Sequence, residues 1–173
     1  MKLTDGTITI TPLEKRHLES VRQLRNHPET RRFLTSNVVI SKKQQQAWFE
    51  KVRDNKSRRY YTIKKEGQFV GIIRSDEWDK ANQSVRIGAD IVPEFRRQGI
   101  ATKAYRLFLN YLFNQLKLHR VWFLVVEFNK PAIALYKKLG FKKEGTQRQA
   151  LFRNGKRYDY LMMALLRKDY DQK

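Results

Sequence analysis

The segment Ile91-Val92-Pro93-Glu94-Phe95-Arg96-Arg97-Gln98-Gly99-Ile100-Ala101-Thr102 follows an alternating apolar stretch and precedes an amphipathic one. A strand there runs into a short basic loop that opens a helix. Gly99 removes the side chain where backbone must approach a ligand closely. The first-turn N–H groups of a helix have no internal partners, and the positive end of the helix dipole lies behind them. Such a turn favours a pyrophosphate. It lacks the Lys-Ser/Thr of an NTPase loop and the three-glycine dinucleotide fingerprint, so neither class follows. Taken alone, it also suits an ordinary strand–helix connection.

Further on comes Asn129-Lys130-Pro131-Ala132-Ile133-Ala134-Leu135-Tyr136-Lys137-Lys138-Leu139-Gly140-Phe141. Asn129 and Pro131 suit a helix start, and Gly140 suits the position just past its end. By composition alone Asn129 reads as a cap and Tyr136 as a core aromatic. The two segments together resemble the GNAT family of N-acetyltransferases: Arg96-x-x-Gly99-x-Ala101 is similar to its acyl-CoA pyrophosphate loop. Asn129…Ala132…Leu135-Tyr136…Gly140-Phe141 is similar to its following helix and strand. The resemblance covers essentially the whole chain.

That resemblance implies a set of roles. The strand before the loop splays from the next parallel strand, and the pantetheine of acetyl-CoA fills the gap. Backbone of Ile91 and Val92 would face the pantetheine, and Arg96, Arg97, Gln98, Gly99, Ile100, Ala101 and Thr102 would surround the pyrophosphate. Asn129 would bond the pantetheine arm, and Tyr136 would sit near the thioester sulfur. Without cysteine, the acetyl group is expected to pass directly to an amine. Tyr136 is the expected general acid for the leaving thiolate, and the Val92 N–H the expected oxyanion donor. Many relatives carry a Glu base where this chain has Arg86. The substitutes are Glu127, which heads the choice, Asp90, Asp76, Glu77 or a water chain.

Composition bounds the rest. The chain has 173 residues, 37 Lys plus Arg, 17 Asp plus Glu and a net charge of +20, with 40% apolar and 12% aromatic residues. That suits one packed domain, 1–173, rather than a disordered chain. Zero Cys and three scattered His argue against a disulfide or a metal site. No apolar run approaches the ~20 residues of a membrane span. Met1-Lys2-Leu3-Thr4-Asp5-Gly6 carries no apolar signal stretch, so a cytoplasmic location is expected. The charge implies attraction to polyanions, including weak RNA association, or a solvated surface; a non-enzymatic RNA-binding module is the alternative from another class.

The elements that must position these residues follow from periodicity. Thr7–Thr11 alternates as a strand, and Leu13 to Arg25 has helical spacing. Ser41 is a candidate N-cap for a helix to Arg53. Residues 59–64 and 68–73 flank Glu66-Gly67 as a hairpin. A polar stretch from Asp76 to Gln83 separates it from a strand at 85–91. A helix is expected over 100–113 and a buried strand over 121–126. A helix from Asn129 to Leu139 and a hairpin turned by Asn154-Gly155 complete the chain. This order predicts an α/β (α+β) domain with a mixed central sheet. The resemblance adds that the sheet is mostly antiparallel, with about six or seven strands, a splayed parallel pair and about four helices.

The resemblance puts acceptor choice in the first two helices and the late hairpin. Leu24-Arg25-Asn26-His27-Pro28-Glu29 with Ser41…Trp48-Phe49 resembles the branch acting on nucleotide-linked amino sugars. Phe152-x-Asn154-Gly155-Lys156-x-Tyr158-Asp159 is shared with spermidine and ribosomal-protein N-terminal acetyltransferases. A cationic protein draws in an anionic nucleotide sugar and repels a polyamine. The expected acceptor is therefore a nucleotide-linked amino sugar, then a ribosomal-protein N-terminus or other RNA-associated amine, then a polyamine. Arg25 and His27 are the candidate acceptor-binding residues; His27 also suits a helix cap.

Overall fold

The computed structural model describes residues 1–171. It contains strands β1 (Leu3–Thr4), β2 (Ile8–Pro12), β3 (Arg58–Lys65), β4 (Gln68–Asp79), β5 (Ser84–Ile91), β6 (Arg120–Val126), β7 (Lys142–Arg153) and β8 (Lys156–Leu166). The helices are α1 (Leu18–Asn26), α2 (Pro28–Arg31), α3 (Lys42–Val52), α4 (Ile100–Asn110), α5 (Lys130–Lys138) and α6 (Arg167–Tyr170). All strands join one sheet in the order β1-β2-β3-β4-β5-β6-β8-β7. The β5–β6 neighbours are parallel and every other pair is antiparallel. No described helix is long and apolar enough to cross a membrane.

The local rules operate where expected. Ser41 Oγ accepts the Gln44 N–H while Gln44 Oε1 accepts the Ser41 N–H, a reciprocal cap that starts α3. Asn154 and Gly155 have φ of 51° and 75°, the left-handed pair that a two-residue hairpin with properly twisted strands requires. Ile100, Ala104, Tyr105, Phe108 and Leu109 form the buried face of α4. They pack on β2, β3, β5 and β6 through Ile8, Ile63, Ile87 and Val121, all essentially buried.

Three details depart from periodicity. Among the described residues there are eight strands and six α-helices, because β1 is a two-residue edge and α2 and α6 are single turns too short to carry a pattern. β4 continues through the polar stretch to Asp79; its charges are tolerated because Asp76 lies opposite Arg86 on β5 and accepts its Nε–H at 2.6 Å. The expected 100–113 helix changes to a π-helical turn at Tyr111–Gln115.

Two sheet faces are covered differently. Val85, Ile87 and Ile91 of β5 face the main core under α4, while α1 sets Val21 and Leu24 on Ile72 from the other side. Close packing between β4 and β5 depends on Gly71, where an added Cβ would lie 2.5 Å from the Asp90 carbonyl oxygen. Backbone cannot rotate away as a side chain can. Gly71→Ala is therefore expected to destabilise the domain by ~1–3 kcal/mol, as overpacking does. A urea melt with an unchanged midpoint would refute this packing account.

Candidate active site

The defining feature is the parallel pair. β5 and β6 are in register only over Ser84–Arg86 and Arg120–Trp122. Beyond that point β5 stays paired to β4, and β6 to β8, so the two strands diverge and leave facing edges without a partner strand. A cleft of about 850 Å³ occupies this opening. Its walls are the end of β5, the following loop, the first turns of α4 and α5, and the α2 segment. A smaller hollow of about 260 Å³ beside Arg53, Arg58 and Tyr111 contains none of the motif residues.

The basic loop is built as an anion cradle. Arg97 and Gly99 both have positive φ, 60° and 74°, which turns the backbone sharply into α4. Gly99 is the N-cap of α4, with no side chain capping the first turn and nothing within 4 Å of where a Cβ would stand. The first-turn N–H groups are thus left to a ligand. Ile91, Arg96, Arg97, Gly99, Ile100, Ala101, Thr102 and Asn129 all line the cleft.

The arginines divide. Arg97 is exposed at the cleft. Arg96 is already engaged: Nε donates to Ile91 O at 3.0 Å, and the terminal nitrogens donate to Thr30 Oγ1 at 2.6 Å and Glu29 Oε2 at 3.2 Å. It ties the loop to α2. Gln98 is turned away; it donates to Glu94 O at 3.0 Å and accepts from Lys65 Nζ at 3.4 Å, and it does not line the cleft. Asn129 caps α5, its Oδ1 accepting the Ala132 N–H at 3.3 Å, and it lines the cleft.

The expected oxyanion donor needs correcting. The Val92 N–H donates to Val70 O of the β4 edge at 2.9 Å, so it is spent within the sheet. Backbone groups alternate in direction along a strand. The Ile91 N–H therefore points the opposite way, into the opening, and replaces Val92 as the available donor.

The carboxylates also separate. Glu127 does not line the cleft; its Oε1 accepts the Asp159 N–H at 3.0 Å, bracing the end of β6 against β8. Asp76 and Glu77 pair with Arg86 at 2.6 and 2.8 Å. Asp90 alone among these lines the cleft, and its buried Oδ2 has no hydrogen-bond partner, although Arg74 Nη1 lies 3.5 Å away. Asp90, Gly88 and Arg86 share the α1-facing side of β5 with Arg74 and Asp76 opposite them.

Tyr136 sits on the other side. It is 8% exposed, packs on Phe123 at 3.9 Å between ring centroids, and lines the cleft. Its hydroxyl lies 3.1 Å from that of Tyr105 on α4, a partner that the sequence pattern did not single out. Burial pushes the Tyr136 hydroxyl above the usual phenol value, opposed by the bond from Tyr105; Asp90 raises it further and Arg74 lowers it. Tyr136 therefore holds its proton at neutral pH.

The candidate acceptor residues are misplaced. Neither Arg25 nor His27 lines the cleft. His27 is the cap of α2, its Nδ1 accepting the Glu29 N–H at 3.3 Å. The segment instead contributes Glu29, Thr30, Arg32 and Phe33.

Comparison with known proteins agrees with this geometry. The model of the acetyltransferase (GNAT) domain matches residues 7–142. The spermidine N(1)-acetyltransferase of Escherichia coli (strain K12) is 26% identical over 164 residues, spanning 95% of this chain and 88% of the relative. The putative ribosomal N-acetyltransferase YdaF of Bacillus subtilis (strain 168) is 32% identical over 106 residues, 61% of this chain and 58% of the relative. The crystal structure of spermidine N-acetyltransferase from Vibrio cholerae in complex with CoA and spermine has the same fold, with a TM-score of 0.90 at 23% identity over 96% of this chain and 99% of that one. The reading as a non-catalytic RNA-binding module is set aside, and RNA association finds no support. The chain belongs to the GNAT acetyltransferase family and is an acetyl-CoA-dependent N-acetyltransferase.

Proposed function

We propose that this enzyme acetylates a primary amine of a polyamine such as spermidine. The observation that carries the reading is the Asp90 carboxylate at the cleft, whose buried Oδ2 makes no hydrogen bond and has Arg74 Nη1 at 3.5 Å as an ion-pair partner, an acceptor for an ammonium. Glu29, paired with Arg96, is the second carboxylate of the cleft lining. The expectation of an amino sugar rested on the resemblance of residues 24–29 and Ser41…Trp48-Phe49 to that branch and on the net charge of +20. That field is screened over ~8–10 Å, so the charge met inside the cleft counts for more. The spermidine acetyltransferases among the relatives support the same order.

Catalysis follows from two groups on opposite faces of the opening. CoA supplies the acetyl thioester. An alkylammonium with a pKa near ~10.4 must lose a proton before it can attack; Asp90 orients it and accepts that proton, directly or through water. The developing oxyanion meets the Ile91 N–H. Tyr136 then protonates the sulfur as the C–S bond breaks. The pyrophosphate is held by Arg97 and the first turn of α4, with Arg96 bracing the loop.

An acetylation screen with acetyl-CoA over spermidine, amino sugars and peptides checks the acceptor. The highest kcat/KM is expected for spermidine; preference for a nucleotide-linked amino sugar overturns the proposal. Gly99→Asp places a carboxylate where phosphate must sit, so calorimetry should find no acetyl-CoA binding to a folded protein. Arg97→Ala should weaken that binding ~10–100-fold, the scale of a charge-assisted bond. Wild-type affinity in either variant moves the pyrophosphate elsewhere.

Asp90→Asn and Tyr136→Phe should each lower kcat by ~10²–10⁴-fold, the usual worth of acid or base catalysis. Acetyl-CoA affinity should stay the same in Tyr136→Phe, because the lost interaction is made mainly in the transition state. Near-normal single-turnover rates would remove the corresponding residue from the mechanism.

A further inference from the structure

A phenol that serves as an acid must aim its single proton at the reacting atom. Tyr136 carries its hydroxyl on α5, which ends two residues later at Lys138. Its ring is fixed by Phe123 and by Phe141 at 6.0 Å, but the rings leave the O–H rotor free. Among the described residues, the side chain hydrogen-bonded to that oxygen is Tyr105, 3.1 Å away. The rings meet edge to face, 5.5 Å apart at 90°. Tyr105 is 1% exposed, in the middle of the buried face of α4, and both tyrosines line the cleft.

Only one hydrogen can lie between two phenol oxygens. If Tyr136 donated to Tyr105, its proton would point into the protein and away from the thioester. We propose that Tyr105 is a positioning residue that donates to the Tyr136 oxygen, which turns the Tyr136 proton toward the sulfur and stabilises the phenolate that proton transfer leaves behind. This rests on the reading of Tyr136 as the general acid. As the amine nitrogen bonds to the acetyl carbon and the C–S bond breaks, the Tyr136 proton passes to sulfur. The phenolate then accepts only from Tyr105, and it regains a proton from solvent before the next turnover. Tyr105 keeps its own proton throughout, consistent with its burial, which raises its hydroxyl well above the ordinary phenol value.

The other charged groups facing Tyr136 are Asp90 on β5 and Arg74 on β4. Neither changes in the test. Single-turnover kinetics with acetyl-CoA and the best acceptor are measured for Tyr105→Phe, Tyr136→Phe and the double variant across pH, with thermal melts to verify folding. Tyr105→Phe should lose ~10–100-fold in rate, the scale of a hydrogen bond to a charged group, with acetyl-CoA affinity unchanged. Removing a donor to the phenolate raises the Tyr136 pKa, so the alkaline limb of the rate profile should move to higher pH. The double variant should be no slower than Tyr136→Phe, because Tyr105 acts through that hydroxyl alone.

A slow Tyr136→Phe beside a Tyr105→Phe of full rate and unmoved alkaline limb overturns the positioning role while leaving the acid in place. A double variant whose losses multiply also overturns it, by making the two residues independent. A full-rate Tyr136→Phe overturns the acid assignment itself, and the positioning role with it.

Discussion

Hydrogen-bond continuity across a sheet is the constraint from which this site derives. Buried backbone donors and acceptors are almost always satisfied, yet β5 and β6 stop pairing after Arg86 and Trp122. Each remains tied on its far edge, β5 to β4 and β6 to β8. The near edges therefore open onto the cleft, where an extended, amide-bearing chain such as pantetheine can take the place of a strand. The same opening brings both faces of the sheet to one point, Asp90 from the α1 side and Tyr136 from the α4 side.

The α2 segment depends on that opening without belonging to the sheet. Arg96 grips it from the loop through Glu29 and Thr30. Arg153, largely buried on the late hairpin, grips it from the other side through the carbonyls of Arg31, Leu34 and Thr35. Phe33 packs toward Phe128, which packs on Tyr158. This wall of the cleft is thus assembled from distant stretches of chain, and Arg96 links the basic loop directly to Glu29.

Charge acts at two scales. The whole chain is strongly basic, and that field governs encounter at distance. On the α1-facing side of β5, Arg86 is neutralised by Asp76 and Glu77. Arg74 lies over Gly88, where a Cβ would come within 2.7 Å of its guanidinium carbon, and reaches toward Asp90. The cleft thus places two carboxylates, Glu29 and Asp90, inside a basic protein, which net charge alone does not reveal.

What the sequence determined by itself were the features carried by neighbouring residues. Ser41 and Gln44 cap a helix, Asn154-Gly155 turns a hairpin, and Gly99 at the start of an amphipathic run makes an open helix end; each acts within a few bonds of itself. The paired motifs at 91–102 and 129–141 were sufficient for the family. Tertiary structure decided whatever depends on which neighbour a group meets. The Val92 N–H was lost to Val70 of another strand, and Glu127 to the backbone of Asp159. His27 was lost to its own helix, and the Arg96 guanidinium to Thr30 and Glu29 of α2. Asp90 and Tyr105 gained their places because the splayed strands and the α4 face bring them to the cleft. Local pattern encodes propensity and direction, whereas hydrogen-bond commitment is settled only when chain segments far apart in sequence compete for the same donor or acceptor.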